Sequence, residues 1–442
     1  MHKDWLLYRA QNYPDKIFIN KKNRSYSFKE VNDIVYDRAC SLIDYGVQSK
    51  SKVVILISDP LDFIEAYFAC YKIGAISIVL SHQSTNSEIE KIIRNNLAHH
   101  IICSWKDKSL FKGIKTPIVF FEELSKSHGN CFNKKMDFIP LKEDVQSILF
   151  TSGTEGAPKP VCLTYNNFYE SSIKWEDEIN LNMNDSYMLN LPLYHISGLA
   201  IIMRSIHIGF SIKINTDLKK ENYDSTILSA VPTLIKSLID DKNIVKQLQL
   251  LRCIILSGEK VSKDLLNKCR SLNLNIFLSY GMTETCSSIC GFWPFKNNKY
   301  IGSVGKAFKG VKLDIRDNRV HIESSTIMKC YLDMPVTAGK IHTSDLAEIK
   351  DGYLYLYGRN DNIVISGGKN IDSSEVINVL NKIYNFEKIK LFKEKDSFWG
   401  EIYGIHIYTN FNITPKEITE KLKSILSNYK IPKKIIIEKI ES

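Results

Sequence analysis

A loop rich in glycine and hydroxyl side chains is the first candidate for chemistry in this sequence. The stretch 150-FTSGTEGAPKP-160 places two glycines, three Ser/Thr hydroxyls and a lysine directly after the apolar run Val145–Phe150. Glycines permit close backbone approach, and successive N–H groups and hydroxyls can converge on phosphate oxygens. Lys159 adds a positive charge. The loop is therefore predicted to hold an anion with several phosphates.

This loop is not the phosphate loop of nucleotide triphosphatases. That motif requires GxxxxGK[ST], whereas Lys159 here lies between two prolines. The composition alone also fits an ordinary surface turn, so the loop by itself leaves both interpretations open.

The elements around the loop alternate between short apolar runs and amphipathic segments. Val53–Ser58 and Ile76–Leu80 predict buried strands, and 61-LDFIEAYFACYKIG-74 predicts a helix that ends at a glycine. The same alternation continues through 252-RCIILSG-258 and 275-NIFLSYG-281. This pattern is typical of doubly wound α/β sheets.

The pattern changes near Gly302. Segments 311–324 and 353–358 predict short antiparallel strands, which would form a small β-barrel-like subdomain, and mixed α/β character returns towards the end. The most economical division is a large domain over 1–358 and a small, mobile α+β domain over 359–442.

Composition narrows the class of protein. The chain has 442 residues with 44% hydrophobic and 24% charged residues, which suits a globular protein of two or three domains. The net charge of +10 comes from scattered lysines, so nucleic acid is not the expected partner. The N-terminus has no signal-peptide core, and no apolar run reaches the ~18 residues of a membrane span. Ten cysteines without a CxxC pair predict reduced thiols and a cytoplasmic protein, and a homo-oligomer stays open.

Four motifs in order resemble those of the acyl-adenylate-forming superfamily, which includes acyl-CoA synthetases, luciferases and peptide-synthetase adenylation domains. They are the loop T-S-G-T-x-G-x-P-K, 280-YGMTE-284, 343-TSD-345 in place of T-G-D, and the hinge segment 358-GRNDNIVISGGKNIDSSE-375. The resemblance spans residues 150 to 375. It implies a fold with a mobile C-terminal lid and a ligase that uses ATP, Mg²⁺ and coenzyme A.

The resemblance also implies roles for individual residues. The loop would enclose the β- and γ-phosphates of ATP, Tyr280 would lie against adenine, and Gly258 would line the adenine pocket. Thr283 would contact the α-phosphate and Glu284 would hold Mg²⁺. The loop residues with this role are Thr151, Ser152, Gly153, Thr154, Gly156 and Lys159.

The remaining roles concern the ribose, the hinge and the acid. Asp345 and Arg359 would bind the ribose hydroxyls, Asp361 would be the hinge, and Gly367 and Gly368 would approach the pantetheine channel of coenzyme A. A structural ion pair is the alternative for Asp345 and Arg359.

His195 would lie beside the carboxylate of the acid, although a hydrogen-bonded core histidine is its alternative. Within the superfamily, 192-PLYHISGLAI-201 and 252-RCIILSGEKVSKDLLNKC-269 are most similar to the o-succinylbenzoate–CoA ligase group of menaquinone biosynthesis, as is 280-YGMTETCSSICGF-292. O-succinylbenzoate has two carboxylates, of which only one is activated. The segments 195-HISG-198 and 286-CSS-288 are candidates to bind the other.

Several positions depart from the family pattern. Glu155 adds a negative charge among phosphate-binding groups, Pro160 removes a backbone donor, and Ser344 replaces a glycine. The family also has a lysine in a later P-x-x-x-x-G-K segment, and this sequence stops at Ser442 before that segment would begin. Lys434 and Lys439 stand in a different context.

Either that segment is missing from the sequence or the natural protein lacks the adenylation lysine. The prediction is an o-succinylbenzoate–CoA ligase. The alternatives are a ligase for another aryl or fatty acid, or a nucleotide-binding homologue that is impaired in adenylation.

Overall fold

The structure of the protein is a computed structural model. It describes residues 3–22, 24–82, 84, 86–95, 98–124, 138–151, 159–214, 217–220, 222–359, 363–366, 369–396, 400–426 and 428–440.

The strands of the described chain form four sheets. In chain order they are β1 (Ile17–Lys21), β2 (Arg24–Ser27), β3 (Lys52–Leu56), β4 (Ile76–Val79), β5 (His100–Cys103), β6 (Ile118–Phe120), β7 (Val145–Phe150), β8 (Pro160–Thr164), β9 (Ser186–Leu189), β10 (Ser211–Ile214), β11 (Ile227–Ala230), β12 (Cys253–Leu256), β13 (Ile276–Met282), β14 (Ser287–Phe292), β15 (Lys306–Ala307), β16 (Lys312–Arg316), β17 (Arg319–Glu323), β18 (Cys330–Tyr331), β19 (Lys340–Lys350), β20 (Tyr353–Arg359), β21 (Ile363–Ser366), β22 (Lys369–Asp372), β23 (Lys388–Asp396), β24 (Gly400–Thr409) and β25 (Lys434–Lys439).

The described part of the chain contains eleven α-helices. They are α1 (Trp5–Asn12), α2 (Phe28–Asp44), α3 (Pro60–Ile73), α4 (Asn86–Asn95), α5 (Tyr165–Ile179), α6 (Ile196–Ile208), α7 (Pro232–Leu238), α8 (Lys242–Leu250), α9 (Lys263–Ser271), α10 (Ser373–Ile383) and α11 (Pro415–Lys423). Helix α3 shows how local residues determine where a helix begins and ends. Asp59 caps its N-terminus, Pro60 occupies the first turn, and Gly74 ends it in the left-handed conformation at φ +78°.

Two large sheets make up most of the fold. A nine-stranded sheet has the order β15-β14-β13-β12-β11-β9-β10-β1-β2, and a seven-stranded sheet has the order β18-β8-β7-β4-β3-β5-β6. Their central strands are parallel, from β10 through β9, β11 and β12 to β13 in the first sheet. The predicted doubly wound α/β architecture is confirmed.

Each large sheet is buried on both faces, which explains why its strands are continuous apolar runs. In β12, Cys253 and Ile255 face the main core, whereas Ile254 and Leu256 face a second core that contains α7, α8 and α9. Helices α2, α3, α5 and α6 contribute to the main core, which the two sheets share. Successive side chains of a strand point to opposite faces of the sheet. Where both faces are covered, the side chains must be apolar at every position of the strand.

A buried ion pair joins two of these helices. Arg38 of α2 lies 2.9 Å from Glu65 of α3, and the two side chains are 1% and 3% exposed. The guanidinium also donates to the carbonyl oxygen of Phe121 at 3.2 Å. Hydrogen bonds from the buried charged groups to the backbone offset part of the free-energy cost of removing two charges from water.

Antiparallel strands follow, as predicted for the later part of the chain. The order β16-β17-β19-β20 is an open four-stranded sheet, and β21 to β25 form a separate sheet. The latter has its own hydrophobic cluster with α10 and α11, built around Val376, Ile405 and Ile418. A domain boundary at Gly358 stays a prediction, and β20 runs across it to Arg359.

All nine cysteines within the described ranges are free thiols. Within the same ranges, no group of three or more His, Cys, Asp or Glu residues could hold a metal ion, and no helix has the length and apolar character to cross a membrane.

Candidate active site

A cavity of about 900 Å³ opens at the carboxyl ends of the parallel strands of the nine-stranded sheet. The residues that follow β9, β11, β12 and β13 line it, for example Val231 after β11 and Gly258 after β12. Ligands of open α/β sheets bind at this edge because the loops and unpaired backbone groups of several strands meet there. Thr151, which follows β7 of the other large sheet, closes one side of the cavity.

The cavity brings together most of the predicted site residues that the structure describes. Those that line it are Thr151, Lys159, His195, Gly258, Thr283, Glu284 and Asp345. They come from segments almost 200 residues apart in the sequence. The predicted residues Ser152, Gly153, Thr154, Gly156, Asp361, Gly367 and Gly368, and with them Glu155, lie outside the described residues.

Two predicted nucleotide-binding residues contact each other directly. The hydroxyl group of Tyr280 donates a hydrogen bond of 2.5 Å to Oδ2 of Asp345, which is 9% exposed. Burial and the neighbouring carboxylate raise the pKa of Tyr280 well above its usual value, so the phenol stays protonated. Tyr280 is not among the described residues that line the cavity, and its predicted contact with adenine stays a prediction.

Asp345 has a second predicted ribose-binding residue beside it in the sheet. Arg359 at the end of β20 is the register partner of Asp345 in β19. The backbone N–H of Asp345 donates to Oγ1 of Thr343 at 3.1 Å. The strand pairing therefore places the positions of a carboxylate and an arginine side by side, and Asp345 lines the cavity.

The corner between β13 and β14 has an unusual backbone. Cys286 and Ser287 both have positive φ, +51° and +93°, although neither is glycine. A Cβ atom on Gly281 would lie 2.1 Å from the carbonyl oxygen of Ser287, so this position requires glycine. Oγ1 of Thr285 accepts a hydrogen bond from the N–H of Met282 at 2.9 Å and stabilises the turn. Thr283 and Glu284 are presented to the cavity by this tight corner.

Glu284 is held at both its backbone and its side chain. Its carbonyl oxygen accepts from the N–H of Met328 at 2.8 Å, and Oε1 accepts from the hydroxyl of Tyr331 at 2.8 Å. Within the described chain, no hydrogen bond to its second carboxylate oxygen is present. A half-buried carboxylate with one available oxygen fits the hard-oxygen ligand that Mg²⁺ prefers.

Two buried donors that line the cavity, Arg204 and Trp175, were not predicted. Arg204 of α6 is 3% exposed, and Nη2 donates to Oγ of Ser287 at 2.7 Å. Its guanidinium carbon lies 4.7 Å from the ring centre of Trp175 in α5. Nε of Arg204 and Nε1 of Trp175 have no hydrogen-bond acceptor among the described residues.

The charge of Arg204 therefore has no carboxylate partner in the described part of the protein. Burial lowers the pKa of this arginine, but a guanidinium stays charged near neutral pH. A buried cation and an unpaired N–H group in one cavity wall are suited to an anionic acceptor group of a ligand. The only sequence signal was a single arginine within the apolar segment 199-LAIIMRSI-206.

His195 lies at the start of the same helix. It is the N-cap residue of α6, makes no side-chain cap, and is exposed towards the cavity rather than buried in the core. Desolvation lowers its pKa, so the imidazole is neutral at pH 7 and can both donate and accept a hydrogen bond.

Only some residues of the segment 286-CSS-288 line the cavity. Ser287 and Ser288 line it, whereas Cys286 is 0% exposed and packs in the main core. Cys286 is thus wrong as a candidate to contact the acid, because the left-handed turn directs its side chain into the apolar interior.

Two of the departures from the family pattern are described. Pro160 is the first residue of β8, a position in a strand that tolerates the loss of an N–H group. Its carbonyl oxygen still accepts from Leu332 at 2.9 Å. Ser344 lies between Thr343 and Asp345 in β19 and lines the cavity. Neither residue disrupts the strand in which it lies.

Known proteins with similar sequences match most of the chain. The family model described as AMP-binding enzyme matches residues 6–332. The chain is 29% identical over 459 aligned positions to 2-succinylbenzoate–CoA ligase from Geobacillus sp. (strain WCH70), with 98% of this chain and 92% of that protein covered. The protein of the same name from Bacillus subtilis (strain 168) is 26% identical, with 98% and 93% covered.

Solved structures show the same similarity. O-succinylbenzoate CoA synthetase from Bacillus subtilis in complex with its acyl-adenylate intermediate has a TM-score of 0.84 and 25% identity, over 98% of this chain and 94% of that chain. The same enzyme in complex with ATP and magnesium ion also has a TM-score of 0.84 and 25% identity, over 98% and 95%.

Proposed function

The chain belongs to the AMP-binding enzyme family, and we propose that it joins o-succinylbenzoate to coenzyme A by way of an acyl-adenylate. In the first half-reaction, a carboxylate oxygen of the acid attacks the α-phosphorus of ATP and pyrophosphate leaves. In the second, the thiol of coenzyme A attacks the acyl carbon and AMP leaves. Relatives that align over 98% of the chain are 2-succinylbenzoate–CoA ligases, which supports this assignment.

The nucleotide would occupy the wall formed by the ends of β12, β13 and β19. Asp345, held by Tyr280, would accept hydrogen bonds from the ribose hydroxyls, and Gly258 at φ +86° leaves room beside Val231 for a flat base. Thr283 and Lys159 would contact the phosphates, because a hydroxyl and an ammonium group both donate to phosphate oxygens.

Glu284 is the residue that would hold the metal ion of the reaction. When bound there, Mg²⁺ would neutralise negative charge on the phosphate oxygens. The residues around Glu284 orient its carboxylate towards the cavity, and Met328 fixes its backbone.

The acid would occupy the part of the cavity that is lined by His195, Arg204 and Trp175. His195 would lie beside the carboxylate that is activated, and Arg204 with Trp175 would bind the carboxylate that is not activated. An acid with two carboxylates explains why a buried arginine has no protein carboxylate beside it. A site with buried unpaired donors rejects a ligand that lacks the matching acceptor.

The observation that carries the proposal is that Asp345, Glu284 and Arg204 all line one cavity. A nucleotide bound at Asp345 and Glu284 and an acid bound at Arg204 would share this cavity, which supports attack of a carboxylate on the α-phosphate. Rotation of a small C-terminal domain about Asp361, with Gly367 and Gly368 near the pantetheine group, would complete the second half-reaction. The free thiols support a reducing compartment such as the cytoplasm.

The test measures pyrophosphate release with ATP, Mg²⁺ and o-succinylbenzoate, in parallel with an analogue in which hydrogen replaces the carboxylate that is not activated. Release with o-succinylbenzoate and much slower release with the analogue supports the proposal. Equal rates would contradict the role of Arg204 and favour a ligase for another aryl or fatty acid. No release with any acid, together with tight binding of a synthetic acyl-adenylate, would favour an adenylation-impaired homologue.

A further inference from the structure

Tyr331 connects the metal-binding carboxylate to the strand that follows the phosphate loop. It lies in the two-residue strand β18, where it is the register partner of Val161 in β8. Strand β18 belongs to the seven-stranded sheet, whereas Glu284 follows β13 of the nine-stranded sheet. The hydrogen bond of 2.8 Å from the Tyr331 hydroxyl to Oε1 of Glu284 therefore links the two large sheets across the cavity.

The segment that contains Tyr331 holds Glu284 at two points. Three residues before Tyr331, the N–H of Met328 donates to the carbonyl oxygen of Glu284 at 2.8 Å. The next residue, Lys329, donates its N–H to the carbonyl oxygen of Cys162 in β8 at 2.9 Å. Any shift of β8 is thus transmitted to both the backbone and the carboxylate of Glu284.

The ring of Tyr331 also lies near the lysine of the phosphate loop. Nζ of Lys159 is 5.8 Å from the ring centre, within the range over which an aromatic face attracts a cation. Both residues line the cavity. One side chain therefore contacts the carboxylate through its hydroxyl and approaches the lysine through its ring.

We propose that Tyr331 is a positioning residue for the metal-dependent half-reaction. Its hydroxyl bonds to Oε1 of Glu284 and would leave the other carboxylate oxygen available to the cation that accompanies ATP. This inference rests on the proposed function, because it assumes that Glu284 binds that cation. The phenol would act through the orientation of Glu284 and not on a reacting atom.

The first test measures cation binding without turnover. Mn²⁺ in place of Mg²⁺ is titrated by electron paramagnetic resonance into the protein with a non-hydrolysable ATP analogue. Tyr331→Phe should weaken Mn²⁺ binding by about ten-fold, the size expected for loss of a hydrogen bond to a charged group. Tyr45→Phe is the matched control, because the Tyr45 hydroxyl also donates to a glutamate, Glu123 at 3.3 Å, on the exposed surface.

A second measurement separates positioning from a general structural effect. Pyrophosphate release by Tyr331→Phe should need about ten-fold more Mg²⁺ for half-maximal rate and recover at saturating Mg²⁺. Thioester formation from preformed acyl-adenylate should not change. The double variant Glu284→Gln with Tyr331→Phe should bind Mn²⁺ no more weakly than Glu284→Gln alone.

The outcomes separate the inference from the proposed function. Wild-type protein that binds no Mn²⁺ with the ATP analogue would overturn both. Equal Mn²⁺ affinity in the wild type and Tyr331→Phe would overturn the positioning role alone. An equal loss of rate in both half-reactions of Tyr331→Phe would also overturn it. Melting curves of Tyr331→Phe and Tyr45→Phe identify any variant that is not folded, and Tyr331→His, which retains a ring and an N–H donor, should recover part of the Mn²⁺ affinity.

Discussion

The hydroxyl group of Tyr280 lies 2.5 Å from Oδ2 of Asp345, although the two residues are 65 positions apart in the sequence. The motifs 280-YGMTE-284 and 343-TSD-345 therefore form one hydrogen-bonded unit rather than two separate contacts with a nucleotide. Since burial and the carboxylate keep the phenol protonated, Tyr280 donates to Asp345 throughout the physiological pH range. Asp345 is thereby held in one orientation before a ligand arrives.

This unit can be tested with ATP kinetics. Tyr280→Phe retains the ring and should raise the KM for ATP by about five- to ten-fold, because Asp345 loses its fixed orientation. Asp345→Asn should raise it further, and the double variant should resemble Asp345→Asn alone in a double-mutant cycle. Tyr223→Phe is the control, since the Tyr223 hydroxyl donates to the carbonyl oxygen of Leu218 at 2.7 Å away from the cavity. Additive effects of the two substitutions would contradict the coupling.

Arg204 should determine the preference for an acid with two carboxylates. Arg204→Met should lower kcat/KM for o-succinylbenzoate by about 100-fold and change kcat/KM for the monocarboxylate analogue little. Arg204→Lys should recover only part of the loss, because an ammonium group has neither the planar donor pair nor the stacking contact with Trp175.

The control for this substitution is Arg252→Met. Arg252 pairs with Asp185 at 2.5 Å and does not line the cavity within the described chain, so its loss should affect stability and not the ratio of the two acids. If Arg204→Met lowered kcat/KM equally for both acids, the result would indicate a folding defect instead.

His207 should make the folded state sensitive to acid. Burial, together with Arg9, lowers the pKa of His207 to about 3, and Nδ1 contacts Oγ of Ser172 at 2.8 Å. The pKa in the unfolded chain is about 6.5, so the unfolded state binds the proton between these values and stability falls as the pH drops below 6.5. At pH 5 the loss attributable to this residue is about 2 kcal/mol relative to pH 8.

Denaturant titrations at pH 5 and pH 8 measure this difference. His207→Asn can still donate to Ser172 but does not titrate, so it should reduce the pH dependence by that amount. Ser172→Ala should lower stability at both pH values and retain the slope. The same slope in His207→Asn as in the wild type would show that other groups cause the acid sensitivity.

The buried pair of Arg38 and Glu65 should matter for stability and not for catalysis. Arg38→Met leaves the Glu65 charge buried without a partner and should lower the free energy of unfolding by about 3–5 kcal/mol. Arg38→Met combined with Glu65→Leu should recover much of this loss. The exposed pair of Lys29 and Asp33, at 2.9 Å, is the control, and Lys29→Met should leave the free energy of unfolding nearly unchanged. Below the unfolding transition, the KM for ATP should be the same in all these variants.

Much of the architecture could be predicted from the sequence because the large sheets are covered on both faces. Runs such as 253-CIIL-256 must then be apolar throughout, and the glycine after α3 marks a helix end that needs positive φ. The motifs around Thr283 and Asp345 were recognisable because close backbone approach and charge chemistry restrict the residue types there. The pairing of Asp345 with Arg359 in adjacent strands needed the register, which sequence spacing does not contain.

The contacts that the sequence did not reveal depend on long-range packing. Arg204 is one charged residue in an otherwise apolar helix, and only its position beside Trp175 and Ser287 identifies it as part of the cavity. Tyr331 lies in a two-residue strand, and nothing in the surrounding residues indicates that its hydroxyl reaches Glu284. The residue types in 286-CSS-288 do not reveal the pair of left-handed residues that directs the Cys286 side chain into the core.

Those left-handed residues give position 287 two competing requirements. A non-glycine residue at φ +93° is strained by about 1–3 kcal/mol, which glycine would relieve. Glycine would also remove the oxygen that accepts the hydrogen bond from Arg204. Selection for thermal stability would therefore favour glycine at this position. Selection for discrimination between substrate acids would favour serine. The residue found there thus indicates which of the two properties the protein has retained.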